Sequence, residues 1–407
     1  MRPVAPSERE PVLDGLRGFA ILGILLVNIE VMRGSEWLVL SAGGKPDTFA
    51  GADAIVQFIV GWLGATKFIS SLAILFGGGA ALIAARSLHN GESPRLLLAR
   101  RYLWLSVFGA GHMLLFPGDV LFLYGLTGLA LLAFVRLRAP LLLAWSAGLL
   151  VVFSGFSMAF TAAVAAIEPA TPLDSGQPSY ADAIDALRNR VIDAFSSGSF
   201  SDIASAQFAQ AVFLQPSQLA VLPWVLALFL FGYALGRAGV LRRLEFNRDG
   251  LRRAALIGLG AGLPANLGLG FFGTLAGFGA RPELASPWLT LWADVGQTLG
   301  GPLLAVGYLS ALSLRFIDHG TPSCLAAVGR MALTAYLMQS ALALVAFGAL
   351  RLYDRLSSTS ALLVVAVIWT VLLVMCPWWL RRFQLGPAEW LWRSLTYGHL
   401  QPLRREP

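Results

Sequence analysis

The chain has 407 residues, 57% hydrophobic and 13% charged, with a formal net charge of +7 and a mean hydropathy of +0.69. A soluble fold of this size needs far more charge on its surface, whereas lipid-facing surface is apolar all round, so the composition defines an all-α polytopic membrane helix bundle. The basic residues sit in short clusters beside apolar runs, which marks them as topology signals rather than a nucleic-acid-binding surface.

The N-terminal stretch Met1 to Leu13 carries Arg2, Glu8, Arg9 and Glu10 and has no small-residue cleavage site after an apolar core, so no removable signal peptide is expected. Apolar runs long enough to cross lipid follow at 16–33, 68–85, 100–116, 120–135, 139–167, 218–236, 254–277, 288–314, 324–350 and 359–380. This predicts about ten transmembrane helices. Residues 52–66 are too short to span before Lys67 and carry aromatic anchors, which predicts an interfacial outer helix. The one sizeable hydrophilic stretch, 168–217, has apolar residues at helical spacing from Tyr180 to Phe213 and reads as an extracytoplasmic, partly helical cap. The chain therefore divides into an N-terminal transmembrane half of five helices (1–167), that cap (168–217), and a C-terminal half of five helices with an interfacial tail (218–407). With the N-terminus cytoplasmic, 22 of the 30 basic residues fall at cytoplasmic ends, which predicts that both termini are cytoplasmic. Cys324 and Cys376 fall near those ends and offer neither a disulfide framework nor a metal cluster, so no metal site is expected.

Glycine runs at Gly77-Gly78-Gly79, Gly232 to Gly236 and Gly258 to Gly262 lie in apolar helices with no strand before them, and predict close-packing helix faces rather than nucleotide loops. Pro264 and Asn266 mark an expected kink in the seventh helix. Gly386-Pro387 through Trp392-Arg393 mixes tryptophan with charge and reads as an interfacial segment capping the inner face.

Polar residues inside the apolar runs point to function, since a charge near mid-bilayer costs roughly 2.5 to 3.5 kcal/mol on insertion scales. Gly111-His112 and Gly118-Asp119 place an imidazole and a carboxylate in an otherwise apolar stretch. At about 1.5 Å per residue from Arg100, His112 stands roughly 18 Å up a core of about 30 Å. Asn28 and Glu30 in helix one and Lys67 at the start of helix two are expected to share that outer layer with His112 and Asp119. An imidazole takes a proton near neutral pH and a carboxylate orients it, so the pair suits activation of a hydroxyl or amine. No Ser or Cys adjoins the pair in sequence, although Ser70, Ser71 and Ser106 are within conceivable reach, so direct transfer is favoured over an acyl-enzyme. At the cytoplasmic face, Asp14 is expected to pair with Arg17 across one helical turn. Arg17 joins Arg86, Arg95, Arg100 and Arg101 as guanidinium groups suited to phosphates.

Several motifs carry a resemblance. Leu13-Asp14-Gly15-Leu16-Arg17-Gly18 through Val27-Asn28, Lys67-Phe68 with Leu75-Phe76-Gly77, Gly111-His112 with Gly118-Asp119, Gly329-Arg330 through Tyr336, and Gly386-Pro387 through Arg393 resemble the bacterial YeiB-like proteins, domain-of-unknown-function family 418, nearly end to end. The N-terminal half of that family is similar to heparan-alpha-glucosaminide N-acetyltransferase and to a wider group of transmembrane acyltransferases, which move acyl groups from cytoplasmic acyl-CoA to acceptors across the membrane. The resemblance implies a multi-pass protein of the bacterial cytoplasmic (inner) membrane, with acyl-CoA as co-substrate and an envelope carbohydrate or lipid as acceptor. Asn28 matches a position implicated in the acetyltransferase's active site, whereas that enzyme's loop histidine has no counterpart between Asn28 and Asp53. Either His112 supplies that function, or this branch does not perform the reaction.

The leading expectation is thus an acyltransferase. His112 serves as general base, Asp119 orients it, Asn28 and Lys67 polarise the acyl carbonyl, and Asp14, Arg17, Arg100 and Arg101 form the CoA-binding mouth. The rivals are a transporter with a relay through His112, Asp119 and Lys67, and a non-catalytic scaffold. The lipid bilayer is the expected partner, with a homo-oligomer as a further option.

Overall fold

A computed structural model describes residues 11–36, 38, 51–166, 180–271 and 287–404, and no β-strand occurs among the described residues. The N-terminal stretch to Glu10, residues 168–179 of the hydrophilic segment and the end of the seventh apolar run, 272–277, lie outside them.

Each expected span contains helix among the described residues. In chain order the helices are α1 (Pro11–Arg33), α2 (Gly51–Ile59), α3 (Lys67–His89), α4 (Pro94–His112), α5 (Leu121–Leu131), α6 (Ala139–Ala166), α7 (Tyr180–Ser197), α8 (Phe200–Ala220), α9 (Leu222–Arg237), α10 (Arg248–Phe271), α11 (Pro287–Val295), α12 (Gly301–His319), α13 (Ser323–Arg330), α14 (Ala332–Leu344), α15 (Ser358–Arg382) and α16 (Pro387–Tyr397). Among the described residues, seven segments are long and apolar enough to cross a membrane, or eight if the bent pair α8 and α9 forms one span. The shortfall from ten has a cause: α4 starts among arginines, and α5, with 11 residues, reaches only about 16 Å. The residues expected to form an interfacial helix make α2 and a π-helical turn, Val60–Gly64, and the hydrophilic segment contributes α7 and α8.

The two halves of the chain pack into each other. Helix α1 lies against α13, and α3 against α9, so one core draws Leu25 and Leu98 from the first half and Phe229 and Tyr336 from the second. Glycine makes the α3–α9 crossing possible. A Cβ on Gly77 would collide with the Phe229 carbonyl, and one on Gly232 with the Ile74 carbonyl, so the glycine runs are close-packing faces as expected. The outer faces are apolar, with Val151, Val152 and Phe156 on α6 and Leu363 and Val367 on α15 exposed. Such surface suits lipid. Pro264 lies within the continuous helix α10, where the Asn266 side-chain amide donates to the Gly262 carbonyl at 2.7 Å.

Candidate functional site

The site forms where α4 stops short inside the bundle. After His112 the chain tightens through Met113 to Phe116, whose amides return to carbonyls of Gly109, Gly111 and His112, and Pro117 prevents the helix from continuing. Asp119 then opens α5, its Oδ2 accepting the Phe122 amide at 2.7 Å. A carboxylate suits the exposed amides of a helix start. Its other oxygen, Oδ1, lies 2.7 Å from His112 Nδ1. One carboxylate therefore starts a helix and fixes an imidazole.

His112 Nε2 lies 2.9 Å from Ser340 Oγ of α14. A carboxylate only accepts, so it holds the proton on Nδ1 and leaves Nε2 of the neutral ring to accept from the Ser340 hydroxyl. The His112 and Asp119 side chains have 0% exposure and Ser340 has 1%. One turn before Ser340, the Tyr336 ring packs 5.0 Å from the imidazole, and its hydroxyl accepts the Val120 amide at 3.3 Å.

Neighbouring elements set the register of α14. Gln339 donates to the Ile21 carbonyl of α1 at 2.8 Å. At the start of α14, Glu389 of α16 accepts the Leu333 and Thr334 amides at 2.6 and 3.0 Å and the Thr334 hydroxyl at 2.5 Å. Burial pushes the Glu389 carboxyl above the ordinary carboxylate range, against the pull of those donors. The segment 386–393 thus caps a helix of the bundle.

On the side away from the arginines, α8 covers the turn. Gln207 donates to the Leu115 carbonyl at 3.3 Å and Gln218 to the Pro117 carbonyl at 3.4 Å, satisfying backbone that the break between α4 and α5 leaves open. From the other side a cavity of about 800 Å³ approaches between α1, α3, α4, α5, α14 and α16. Arg17, Arg86, Arg101, Arg242, Arg330 and Arg393 line its mouth, Leu72, Leu75, Phe76 and Leu105 its bore, and Val120, Tyr124 and Tyr336 its inner end. The Tyr336 ring separates that end from His112.

The expected residues distribute as follows. Asp14 and Arg17 pair at 3.0 Å and both line the cavity. Arg101 lies 3.6 Å from the Trp392 ring centroid, while Arg100 is exposed beside Gly398 and is not part of the lining. The single outer layer of five polar groups divides into four, the His112–Asp119 pair being one. Glu30 joins Arg33, Gln57 and Ser358 in a separate network, Arg33 donating to Glu30 at 2.8 Å and Gln57 at 2.6 Å. Lys67 is buried and donates to the Gly61 carbonyl at 2.9 Å. Asn28 lies two turns beyond Ile21 on α1, half-buried, and is not among the hydrogen-bond partners of His112 or Asp119. The hydroxyl at His112 comes from Ser340, whereas Ser70 and Ser106 bond the carbonyls of Thr66 and Tyr102 in their own helices. Ser340 and Tyr336 were not singled out by sequence reasoning as site residues. Their signal was the Gly329 to Tyr336 motif, whose next turn carries Ser340.

A bundle of apolar helices around a basic-mouthed cavity, whose inner end is the Tyr336 ring packed on a buried His bonded to Ser and Asp, defines a class: a multi-pass membrane protein with a polar site held inside it. Residues 235–399 match the family described as "Protein of unknown function (DUF418)". The chain is 29% identical to uncharacterized protein YxaH of Bacillus subtilis (strain 168), over 100% of this chain and 98% of that one. It is 28% identical to uncharacterized protein YeiB of Escherichia coli (strain K12), over 96% of each. The chain is thus similar to YeiB-like proteins over nearly its whole length and matches the DUF418 description over its C-terminal part. No solved structure matches it.

Proposed function

We propose that the protein is a membrane acyltransferase that draws an acyl group from acyl-CoA at the arginine-lined mouth and passes it, at His112, to an envelope carbohydrate or lipid. In this reading the mouth faces the cytoplasm, the bundle sits in the bacterial cytoplasmic membrane, and α8 lies on the acceptor side.

One observation carries the reading: the cavity changes character along its length, from six arginines at the mouth to an apolar bore that ends against the ring packed on His112. A CoA thioester has the same polarity order. Its phosphates match guanidinium forks, and its acyl chain gains about 0.8 kcal/mol for each methylene removed from water. Arg101 lies within α4 and His112 at its end, about 16 Å apart at 1.5 Å per residue, a span suited to an extended pantetheine arm. The volume lies within the usual range for a small-molecule site, roughly 300 to 1,000 Å³. His112, with Asp119 behind it, serves as general base; Lys67 and Asn28 would act on the acyl carbonyl only after moving toward the imidazole.

Thermal unfolding of the purified protein tests donor binding. Coenzyme A at 100 times its Kd should stabilise the folded protein by about 2.7 kcal/mol. Arg101→Ala should remove most of that shift, while His112→Gln retains it because the imidazole lies beyond the phosphate region. The absence of any shift with millimolar coenzyme A would rule out the CoA-dependent reading.

A further inference from the structure

We propose that Ser340 is a nucleophile that carries the acyl group as a covalent ester between donor and acceptor. The nature of the donor rests on the acyl-transfer reading above, whereas the reactivity of the serine rests on geometry alone.

A hydroxyl in an apolar helix ordinarily satisfies itself on the carbonyl four residues back. Ser70, Ser106, Ser313 and Thr370 all do so, at 2.6, 3.1, 2.7 and 2.8 Å. Ser340 instead reaches across the bundle to His112 Nε2, a residue 228 positions away, at 2.9 Å. The opposite ring nitrogen is held by Asp119 at 2.7 Å. A hydroxyl on one imidazole nitrogen and a carboxylate on the other is the arrangement that makes serine nucleophilic on unrelated folds. The three residues come from α4, the turn before α5, and α14. Two of them are held in place by contacts unrelated to catalysis: Asp119 caps α5, and Gln339 and Glu389 set the α14 that carries Ser340.

Access comes along the cavity, whose inner end is Tyr336, one helical turn from Ser340 on the same helix. Rotation of that ring brings the end of the bore to the serine, and the Tyr336 hydroxyl supplies a donor for the developing oxyanion. Ser340 Oγ attacks the thioester carbonyl while its proton passes to His112 Nε2. The C–S bond then breaks, and His112 returns the proton to the departing thiolate. In the second half the acceptor hydroxyl gives its proton to His112 and attacks the ester carbonyl, and Ser340 recovers its proton as the acyl group leaves. Burial of all three side chains keeps water from the ester, so the acyl group is transferred rather than hydrolysed.

The full-length protein in detergent is treated with a tagged fluorophosphonate, a probe that reports a nucleophilic serine whatever its natural donor, and in parallel with radiolabelled palmitoyl-CoA. Peptide mapping should place the phosphonate on Ser340. Labelling should vanish in Ser340→Ala and slow by about 10²-fold or more in His112→Gln. Palmitoyl-CoA should leave a hydroxylamine-labile adduct on the same peptide, and Ser340→Cys should form the corresponding thioester. If Ser340→Ala consumes thioester at the wild-type rate, Ser340 is not the nucleophile, although acyl transfer stands. If the phosphonate labels Ser340 but wild type consumes no thioester, the serine assignment stands and the acyl-CoA reading falls. Failure of both reagents to modify wild-type Ser340 overturns the inference, and because that result is read on the unaltered chain, misfolding of a variant cannot produce it.

Discussion

Asp119 has two separable duties at the scale of a single residue, since Oδ1 serves His112 and Oδ2 serves the Phe122 amide. Asp119→Asn separates them. The Asn carbonyl oxygen can still accept from Phe122, but the amide then faces Nδ1 with its donor, favouring the tautomer that protonates Nε2 and turns it away from accepting the Ser340 proton. Acyl transfer should fall by about 10² to 10⁴-fold while the thermal midpoint stays close to wild type. Equal transfer rates in the two proteins would remove His112 from the role of base. Truncating the imidazole is a poorer test, because a buried carboxylate left without its partner costs about 3 to 5 kcal/mol. His112 and Asp119 were legible in the sequence because a charge in an apolar run is expensive wherever it points. Ser340 was not, since a serine in an apolar helix is inexpensive and self-satisfying, and only its contact across the bundle with His112 distinguishes it from Ser106. Glu30 and Lys67 misled for the complementary reason. Depth along a helix follows from residue count, but the face each helix presents to the bundle does not.

At the scale of the element, the α3–α9 contact is the joint that holds the two halves around the cavity, and glycine sets its closeness. Leu72, Leu75 and Phe76 of α3 line the bore, so any separation of α3 from α9 changes the channel as well as the stability. Gly232→Ala should therefore destabilise by about 1 to 3 kcal/mol, since the added methyl meets the Ile74 carbonyl, and backbone yields less readily than a side chain. Gly155→Ala on the exposed face of α6 should be neutral or stabilising by up to about 1 kcal/mol, because nothing lies within 4 Å and alanine is the better helix former. Thermal midpoints of the two variants in one detergent test this, and equal effects would mean that close approach does not govern the joint. The glycine faces were legible because small residues at helical spacing have few other uses in an apolar helix. Helix α5 was harder, since its run of about 16 residues in the sequence yields only 11 helical ones once the Asp119 cap and the Leu132 end are set. That shortness keeps the His112 turn inside the bundle.

At the scale of the whole molecule, the direction of transfer depends on which side of the membrane the arginine-lined mouth faces. The start of α1, the end of α3, Arg101 of α4 and helix α16 meet at the mouth, whereas α7 and α8 lie toward the far ends of α4 and α14, where Arg351 donates to the Phe195 carbonyl at 2.9 Å. Positive charge is retained on the cytoplasmic side during insertion, and the proposed donor, acyl-CoA, is a cytoplasmic molecule, so the proposed function requires the mouth to face inside. Single cysteines report this directly in a background of Cys324→Ser and Cys376→Ala. Ser323 is exposed at the start of α13 on the mouth side, and Ser196 is exposed near the end of α7 on the other. A membrane-impermeant maleimide applied to intact spheroplasts should label Ser196→Cys at once and Ser323→Cys only after the membrane is opened. The reverse pattern would place the arginines outside, where no pool of acyl-CoA reaches them, and would end the acyltransferase reading even if Ser340 proved reactive. Labelling of both sites in sealed spheroplasts would instead contradict the bundle's two-sided arrangement, since α13 and α7 lie at opposite ends of helices that cross the core.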